Sequence, residues 1–141
     1  MAKLLIGIDP DVDKSGVAFK NGNDYTLENL EYFELFEFLK FYKEREEKPI
    51  VYVEKGALNK SNWHSKNDKS HKWNSSIGAA LGRNFEAANI IIKMCKYLNL
   101  EVVEVKPTRK KIDSETFKSI TGFTKRTNQE QRDAFMLIFG R

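Results

Sequence analysis

Two apolar segments of this chain each end in a single carboxylate. Leu4–Ile8 is followed by Asp9, and Ile50–Val53 is followed by Glu54. Short runs rich in Leu, Ile and Val are typical of buried strands. An acid on the rim of a buried strand suggests metal binding, because carboxylate oxygens are hard ligands. A third acid, Asp133, lies in a helical pattern, so we expect three carboxylates at the tips of core elements.

The composition limits the class of protein. The chain has 141 residues, which predicts one domain over 1–141. Its net charge of +4 and pI near 9.1 favour a polyanionic partner, and with three acids they predict a nuclease centre. The single cysteine, Cys95, excludes a disulfide framework and predicts a reducing interior. Neither a membrane-spanning run nor a signal-peptide pattern is seen, so we expect a soluble cytoplasmic protein.

The periodicities predict the element order βββ, α, β, α, β, α, α. Strands are expected at Lys3–Asp9, Gly16–Lys20 and Tyr25–Tyr32, with a turn signal at residues 21–24. An amphipathic helix follows, because apolar residues recur at three- and four-residue spacing from Leu35 to Tyr42. The later elements are the strand that ends at Glu54, a long helix from Ile77 to Cys95, a strand at Glu101–Val105 and helices at Ser114–Ile120 and Asn128–Phe139.

This order and the motifs around the acids resemble the RuvC branch of the ribonuclease H-like superfamily, the Holliday junction resolvases. Gly7-Ile8-Asp9-Pro10 with Gly16-Val17-Ala18 is similar to the family's opening motif, and Val53-Glu54 to its second acid. Val105-Lys106-Pro107-Thr108 with Lys110-Lys111 resembles the strand end and basic helix start that follow, and Arg132-Asp133-Ala134 the start of the final helix. The resemblance covers nearly the whole chain. It implies an α/β fold with a mixed five-stranded sheet flanked by helices.

The resemblance also implies an activity. It predicts a Mg²⁺-dependent, structure-selective DNA endonuclease that resolves four-way junctions by symmetric nicks in recombination and repair. Two Mg²⁺ ions about 4 Å apart, or Mn²⁺ in their place, are expected at each site. Branched DNA is the expected partner, and a homodimer is expected because two nicks need two active sites. The implied catalytic and metal-binding residues are Asp9, Glu54, Glu130 and Asp133.

Other functions remain open on the sequence alone. One alternative is a related nuclease of the same fold that acts on flapped DNA or RNA·DNA hybrids. Another is a nucleic-acid-binding module that does not cleave. An actin-like phosphotransferase also has an opening strand that ends in an acid, but this chain is too short for two nucleotide-clasping lobes.

Glu130 has two competing interpretations. Thr127–Glu130 forms a capping box, with Glu130 at the third helical position. If Asn128 is the N-cap instead, Gln131 takes that role and Glu130 is free to bind metal. The resembled family commonly places His or Asp at this position. Asp11, by contrast, is expected to be a turn residue.

The segment 55–76 is predicted to be a long exposed loop that contacts substrate. Its lysines suit phosphate neutralisation, and its tryptophans suit stacking on bases. The alternative is a surface loop whose tryptophans pack into the core. Basic residues elsewhere are expected to extend the positive surface. The predicted DNA-binding residues are Lys55, Lys60, Trp63, Lys66, Lys69, Lys72, Trp73, Arg83, Lys106, Arg109, Lys110, Lys111, Lys125 and Arg126.

Overall fold

A computed structural model describes residues 3–45, 48–56, 85–107 and 111–141. The strands in these ranges form one five-stranded sheet in the order β3-β2-β1-β4-β5. β1 is antiparallel to β2 and parallel to β4, so the predicted mixed sheet is confirmed. The strands are β1 (Leu4–Asp9), β2 (Ser15–Asn21), β3 (Asp24–Leu30), β4 (Ile50–Glu54) and β5 (Glu101–Val105).

Helices flank this sheet in the order that the sequence predicted. They are α1 (Tyr32–Lys43), the described part of α2 at 85–97, α3 (Ser114–Thr121) and α4 (Gln129–Ile138). The prediction was wrong about the end of β3, because Glu31 adopts an extended N-cap conformation and Tyr32 already begins α1. None of the helices in the described ranges has the length and apolarity needed to cross a membrane.

The predicted helix start at Ser114 is confirmed, but the basic residues that the resemblance compared with a helix start precede it. The N-cap of α3 is Asp113, whose side chain accepts a hydrogen bond of 2.7 Å from the backbone N–H of Thr116. Lys111 therefore precedes the helix and lies in the connection from β5. Lys110 lies outside the described residues.

The sheet separates two hydrophobic clusters, because successive side chains of a strand point to opposite faces. On one face, Ile6 and Ile8 of β1 pack with Val51 and Val53 of β4 beneath α1 and α2. On the other face, Leu5 of β1 packs against α3 and α4 through buried side chains that include Phe117, Ala134, Phe135 and Ile138. We call these the α1–α2 face and the α4 face.

Candidate active site

Asp9 and Glu54 lie side by side at the carboxyl ends of two neighbouring inner strands of the sheet. They end the parallel strands β1 and β4, whose register pairs Ile8 with Val53. Ile8 and Val53 both point into the α1–α2 face. The next residue of each strand must point the other way, so both carboxylates lie on the α4 face. Asp9 therefore projects from β1, the middle strand of the five.

Asp133 reaches the same place because α4 lies unusually close to the sheet. A Cβ atom at Gly7 would overlap the carbonyl oxygen of Ala134, and a Cβ atom at Gly16 would overlap that of Glu130. Only glycine allows two backbones to approach this closely. The two glycines therefore set the height of α4 above β1 and β2, and with it the position of Asp133.

Burial and neighbouring negative charge raise the pKa of two of the three carboxylates, Asp9 and Glu54. Burial, followed by the negative charges of Glu54 and Asp133, raises the pKa of Asp9 to about 8. Burial also raises the pKa of Glu54, against the opposing effects of Lys111 and of a hydrogen bond with Asp9. These shifts show that the sheet and α4 hold the acids together although their charges repel.

Lys111 supplies the positive charge within this cluster. Its Nζ donates a hydrogen bond of 2.7 Å to Oδ2 of Asp133, and the Lys111 side chain is about half exposed. Burial alone would lower the pKa of Lys111, but the bond to Asp133 and the charges of Glu54 and Asp9 raise it. Sequence reasoning had placed Lys111 on a DNA-binding surface; the structure places it among the acids.

Two further residues, Gln129 and Arg132, hold Asp133 in place, and sequence reasoning missed both. Gln129 Nε2 donates 2.8 Å to Oδ1 of Asp133, so both oxygens of this carboxylate are bound. Arg132 donates to Gln129 Oε1 at 3.1 Å, to the Ile112 carbonyl at 3.1 Å, and to the carbonyl and hydroxyl of Thr127, both at 3.0 Å. Arg132 thus ties the start of α4 to the segment that carries Lys111.

The N-terminus of α4 decides between the two interpretations of Glu130. Asn128 is the N-cap: its Oδ1 accepts 2.9 Å from the Gln131 N–H, and Gln131 Oε1 accepts 3.1 Å from the Asn128 N–H. The Thr127–Glu130 capping box is therefore wrong, and Glu130 is free of that role. Its side chain is exposed, and its charge is the weakest of those that raise the pKa of Asp9.

Glu130 faces a different depression from the other acids. Glu54, Asp133 and Lys111 line a narrow cleft of about 130 Å³. Glu130 lines a shallow depression of about 380 Å³ with Asp11, Asp13, Lys14, Asn29 and Asn128. Asp11 is a turn residue, as predicted, because its Oδ2 accepts a hydrogen bond of 3.1 Å from the Asp13 N–H. Asp9, Glu54 and Asp133 form one cluster, and Glu130 lies at its margin.

The comparisons with known proteins concern the fold. No protein-family model and no curated protein matches this chain by sequence. This chain is similar in structure to T. thermophilus RuvC in complex with Holliday junction substrate, with a TM-score of 0.51 and 13% sequence identity. The superposition covers 96% of this chain and 89% of the RuvC chain. A structure of Thermus thermophilus RuvC covers 95% and 90% of the two chains, with a TM-score of 0.49 and 14% identity. The chain has a RuvC-like fold.

Within this RuvC-like fold, the acids fit a divalent cation by chemistry. Asp9, Glu54 and Asp133 offer only carboxylate oxygens, which Mg²⁺ prefers, and a cation would relieve the repulsion that raises the pKa of Asp9. Across the described ranges, however, no group of three or more His, Cys, Asp or Glu side chains is arranged so that it could hold a metal ion. Asp133 is bound to Lys111 and Gln129 instead.

Apart from Lys111, the predicted DNA-binding residues fall into two groups. In the described part of the RuvC-like fold, Lys106, Lys125 and Arg126 are exposed, and Lys55 pairs with Glu104 at 2.6 Å. Those outside the described residues are Lys60, Trp63, Lys66, Lys69, Lys72, Trp73, Arg83, Arg109 and Lys110.

Proposed function

We propose that this protein is a Mg²⁺-dependent DNA endonuclease that resolves four-way junctions by symmetric nicks, acting as a homodimer. One observation carries the proposal: Asp9, Glu54 and Asp133, from three separate elements, meet on one face of a RuvC-like sheet. A similar structure, that of T. thermophilus RuvC, is a complex with a Holliday junction substrate. The fold similarity alone would not support a nuclease; the acid cluster does.

Four acidic residues of the chain would bind the cations. Asp9 and Glu54 would hold the cations from the sheet, and Asp133 would do so from α4, with Glu130 as the fourth acid. When bound, two Mg²⁺ ions would supply a nucleophile from water and neutralise charge on the leaving oxygen. Arg132 and Gln129 fix the orientation of Asp133, which reduces the disorder of a ligand before cation binding.

Lys111 would serve two purposes. Its ammonium neutralises Asp133 and Glu54 while no cation is bound, which stabilises the cluster in the folded protein. Because the Lys111 side chain is half exposed and lines the cleft, a phosphate near the acids would contact it. The exposed Lys106, Lys125 and Arg126 would add sequence-independent phosphate contacts.

A substrate panel tests the proposal. A synthetic four-way junction, a linear duplex, a flapped duplex and an RNA·DNA hybrid are incubated with the protein and Mg²⁺. We expect paired nicks in opposite strands of the junction, no cleavage of the duplex, and none by the Asp9→Asn control. Preferred cleavage of the flap or the hybrid would support the related nuclease instead. Binding of the junction without cleavage would support a module that does not cleave.

A further inference from the structure

Arg141 lines the same narrow cleft as the acids. The other residues of this cleft include Glu54, Asp133 and Lys111. Lys111 pairs with Asp133, but among the described residues Arg141 forms no ion pair with either acid. Neither the acid pattern nor the resemblance gives Arg141 a role. The cleft therefore contains a second positive charge that the acids do not pair with.

Two contacts hold the guanidinium of Arg141. Its Nε donates a hydrogen bond of 2.7 Å to the Leu137 carbonyl, and its Cζ lies 4.6 Å from the centroid of the Tyr52 ring. Such stacking is favourable for a planar cation and restricts its orientation. In the described part of the chain, Nη1 and Nη2 of Arg141 have no hydrogen-bond partner. The guanidinium is thus oriented by one nitrogen and one flat face, which leaves two nitrogens for a ligand.

The backbone after α4 sets the position of Arg141. The φ angle of Gly140 is 80°, in the left-handed region that favours glycine. The chain turns there, and the Arg141 N–H donates a hydrogen bond of 3.2 Å to the Ile138 carbonyl. This turn allows the Arg141 side chain to reach back to Leu137 on the last turn of the helix.

Tyr52 sets the distance between the guanidinium and the acids. Tyr52 and Glu54 are alternate residues of β4, so they point to the same face and lie about 7 Å apart along the strand. Neighbouring phosphates of one nucleic-acid strand are separated by a similar distance. If one phosphate lies at the acids, the next phosphate of that strand is therefore the one within reach of Arg141.

We propose that Arg141 forms a phosphate subsite beside the acid cluster, in which Nη1 and Nη2 bind the phosphate next to the one at the acids. A guanidinium matches two phosphate oxygens, which gives this contact a defined geometry as well as charge. The inference rests on the proposed function for the identity of the ligand as a nucleic-acid strand. The subsite positions that strand, and the bond that breaks lies at the acids.

The salt dependence of binding tests the subsite. Fluorescence anisotropy measures binding of a labelled four-way junction to the full chain without divalent cation, over a series of salt concentrations. Arg141→Gln should weaken binding about tenfold and flatten the log–log slope by about one. Arg141→Lys keeps the charge and should keep the slope, but it loses the paired hydrogen bonds and should weaken binding about threefold. An unchanged slope in Arg141→Gln would overturn the subsite.

Arg45→Gln is the matched control for charge. Arg45 also lies beside aromatic rings, at 5.9 Å from the centroids of Phe41 and Tyr42, but it follows α1 rather than α4. Its substitution should leave the affinity and the salt slope unchanged. Equal effects of Arg45→Gln and Arg141→Gln would show a general effect of net charge and overturn the subsite. Thermal unfolding checks that each variant folds.

A double-mutant cycle tests the role of Tyr52 as a positioning residue. Tyr52→Leu removes the ring beneath the guanidinium and should weaken junction binding about threefold. In the Arg141→Gln background the same substitution should have no further effect, because the ring acts through the arginine. Tyr52 also packs in the hydrophobic cluster of the α4 face, and a purely structural role would give the same loss in both backgrounds. That additive result would contradict the stacked geometry of the subsite.

Cleavage kinetics with Mg²⁺ separate the subsite from the nuclease proposal. Arg141→Gln should raise KM about tenfold with much less effect on kcat, because a phosphate that does not react is bound equally before and during the reaction. A fall in kcat at unchanged KM would contradict the subsite. Loss of affinity in Arg141→Gln in a protein that cuts no nucleic acid would support the subsite and contradict the nuclease. Junction cleavage that Arg141→Gln leaves unaltered would support the nuclease and contradict the subsite.

Discussion

The two faces of the sheet are built from alternate residues of the same strands, yet they differ in kind. In β1, Ile6 and Ile8 point into the α1–α2 face and are fully buried among aliphatic side chains. Gly7 and Asp9 point the other way, where one has no side chain and the other carries a charge. Burial of aliphatic side chains is the main source of folding stability. The α1–α2 face therefore contributes stability that the end of β1 on the α4 face does not.

The difference shows how this fold accommodates an acid cluster. On the α4 face, Gly7 and Gly16 allow a helix to approach within backbone contact, and three carboxylates are held close together against their mutual repulsion. Both features reduce stability locally. They are tolerated because aliphatic side chains are buried on the opposite face of the same strands, and because Leu5, Phe135 and Ile138 bury apolar surface elsewhere on the α4 face. Neighbouring residues of β1 therefore have different roles: Ile8 contributes to the stability of the core, and the next residue, Asp9, belongs to the acid cluster.

Substitutions of the neighbours Ile8 and Asp9 should give the largest difference between an effect on stability and an effect on cleavage. Asp9→Asn should lower junction cleavage by orders of magnitude. It should raise stability at neutral pH without divalent cation, because the unfolded wild-type chain gains free energy by ionising Asp9 and the Asn variant does not. Ile8→Ala should reduce the free energy of unfolding by about 2 to 5 kcal/mol through the cavity it leaves. Cleavage assays and chemical denaturation are the measurements. Wild-type turnover in Asp9→Asn would remove Asp9 from the site.

The close approach of α4 provides the next test. Gly7→Ala places a methyl group against the Ala134 carbonyl, so α4 must move and carry Asp133 with it. We expect a fall in cleavage of about 100-fold, since a displacement of about 1 Å has this effect on a positioned site. Ala18→Gly is the control, because Ala18 pairs with Gly7 on the same face and loses only packing. An equal loss of cleavage in both variants would contradict the role assigned to the glycine.

Gln129 and Gln131 separate positioning from capping within one turn of α4. Gln129→Leu removes the donor to Asp133 and should lower cleavage about 10- to 100-fold, with a raised Mg²⁺ requirement. Gln131→Leu removes the capping partner of Asn128 and should cost about 1 kcal/mol of stability, with little change in Mg²⁺ requirement. If the two variants shift the Mg²⁺ requirement equally, Gln129 is only structural.

The raised pKa of Asp9 predicts a pH-dependent stability. Between about pH 4 and 8 the unfolded chain has released the proton that folded Asp9 retains. The contribution of Asp9 to the free energy of unfolding is therefore fully present below pH 4. It is lost as pH rises toward 8, by up to about 1.4 kcal/mol per pH unit. Chemical denaturation of the wild type and of Asp9→Asn over a range of pH measures this loss as the difference between their free energies of unfolding. Saturating Mg²⁺ should remove the slope, because a bound cation favours the ionised acid; a slope that persists would argue against cation binding by Asp9.

Glu130 gives the smallest expected effect. Because Asn128 and Gln131 form the capping box, Glu130→Gln should leave thermal stability unchanged. Loss of its charge should lower cleavage about tenfold if it is the fourth acid, as the resemblance implies. Glu115→Gln, in the first turn of α3, is the control. Unchanged cleavage and metal dependence would place Glu130 outside the site.

Local patterns predicted the scaffold well and the site only in part. The endings of two apolar runs identified Asp9 and Glu54 because period-two alternation fixes which way a strand residue points. The hydrogen bonds among Lys111, Ile112, Arg132 and Asp133 join residues about 20 positions apart, and no local periodicity encodes them. Gln129 was accessible in principle, since it lies four residues before Asp133 on one helical face. Arg132 belongs to the Arg132-Asp133-Ala134 motif, but no local pattern shows that its guanidinium bonds the Ile112 and Thr127 carbonyls.

Cys95 has a practical consequence for studying this molecule. It is the single cysteine of the chain, it lies fully buried on the core side of α2, and burial raises the pKa of its thiol to about 12. Only a thiolate reacts readily with alkylating reagents, so the native protein should be modified slowly and the unfolded chain quickly. The rate of alkylation then reports how often the α1–α2 face opens. The wild-type protein carries its own reporter of core opening, without an introduced label.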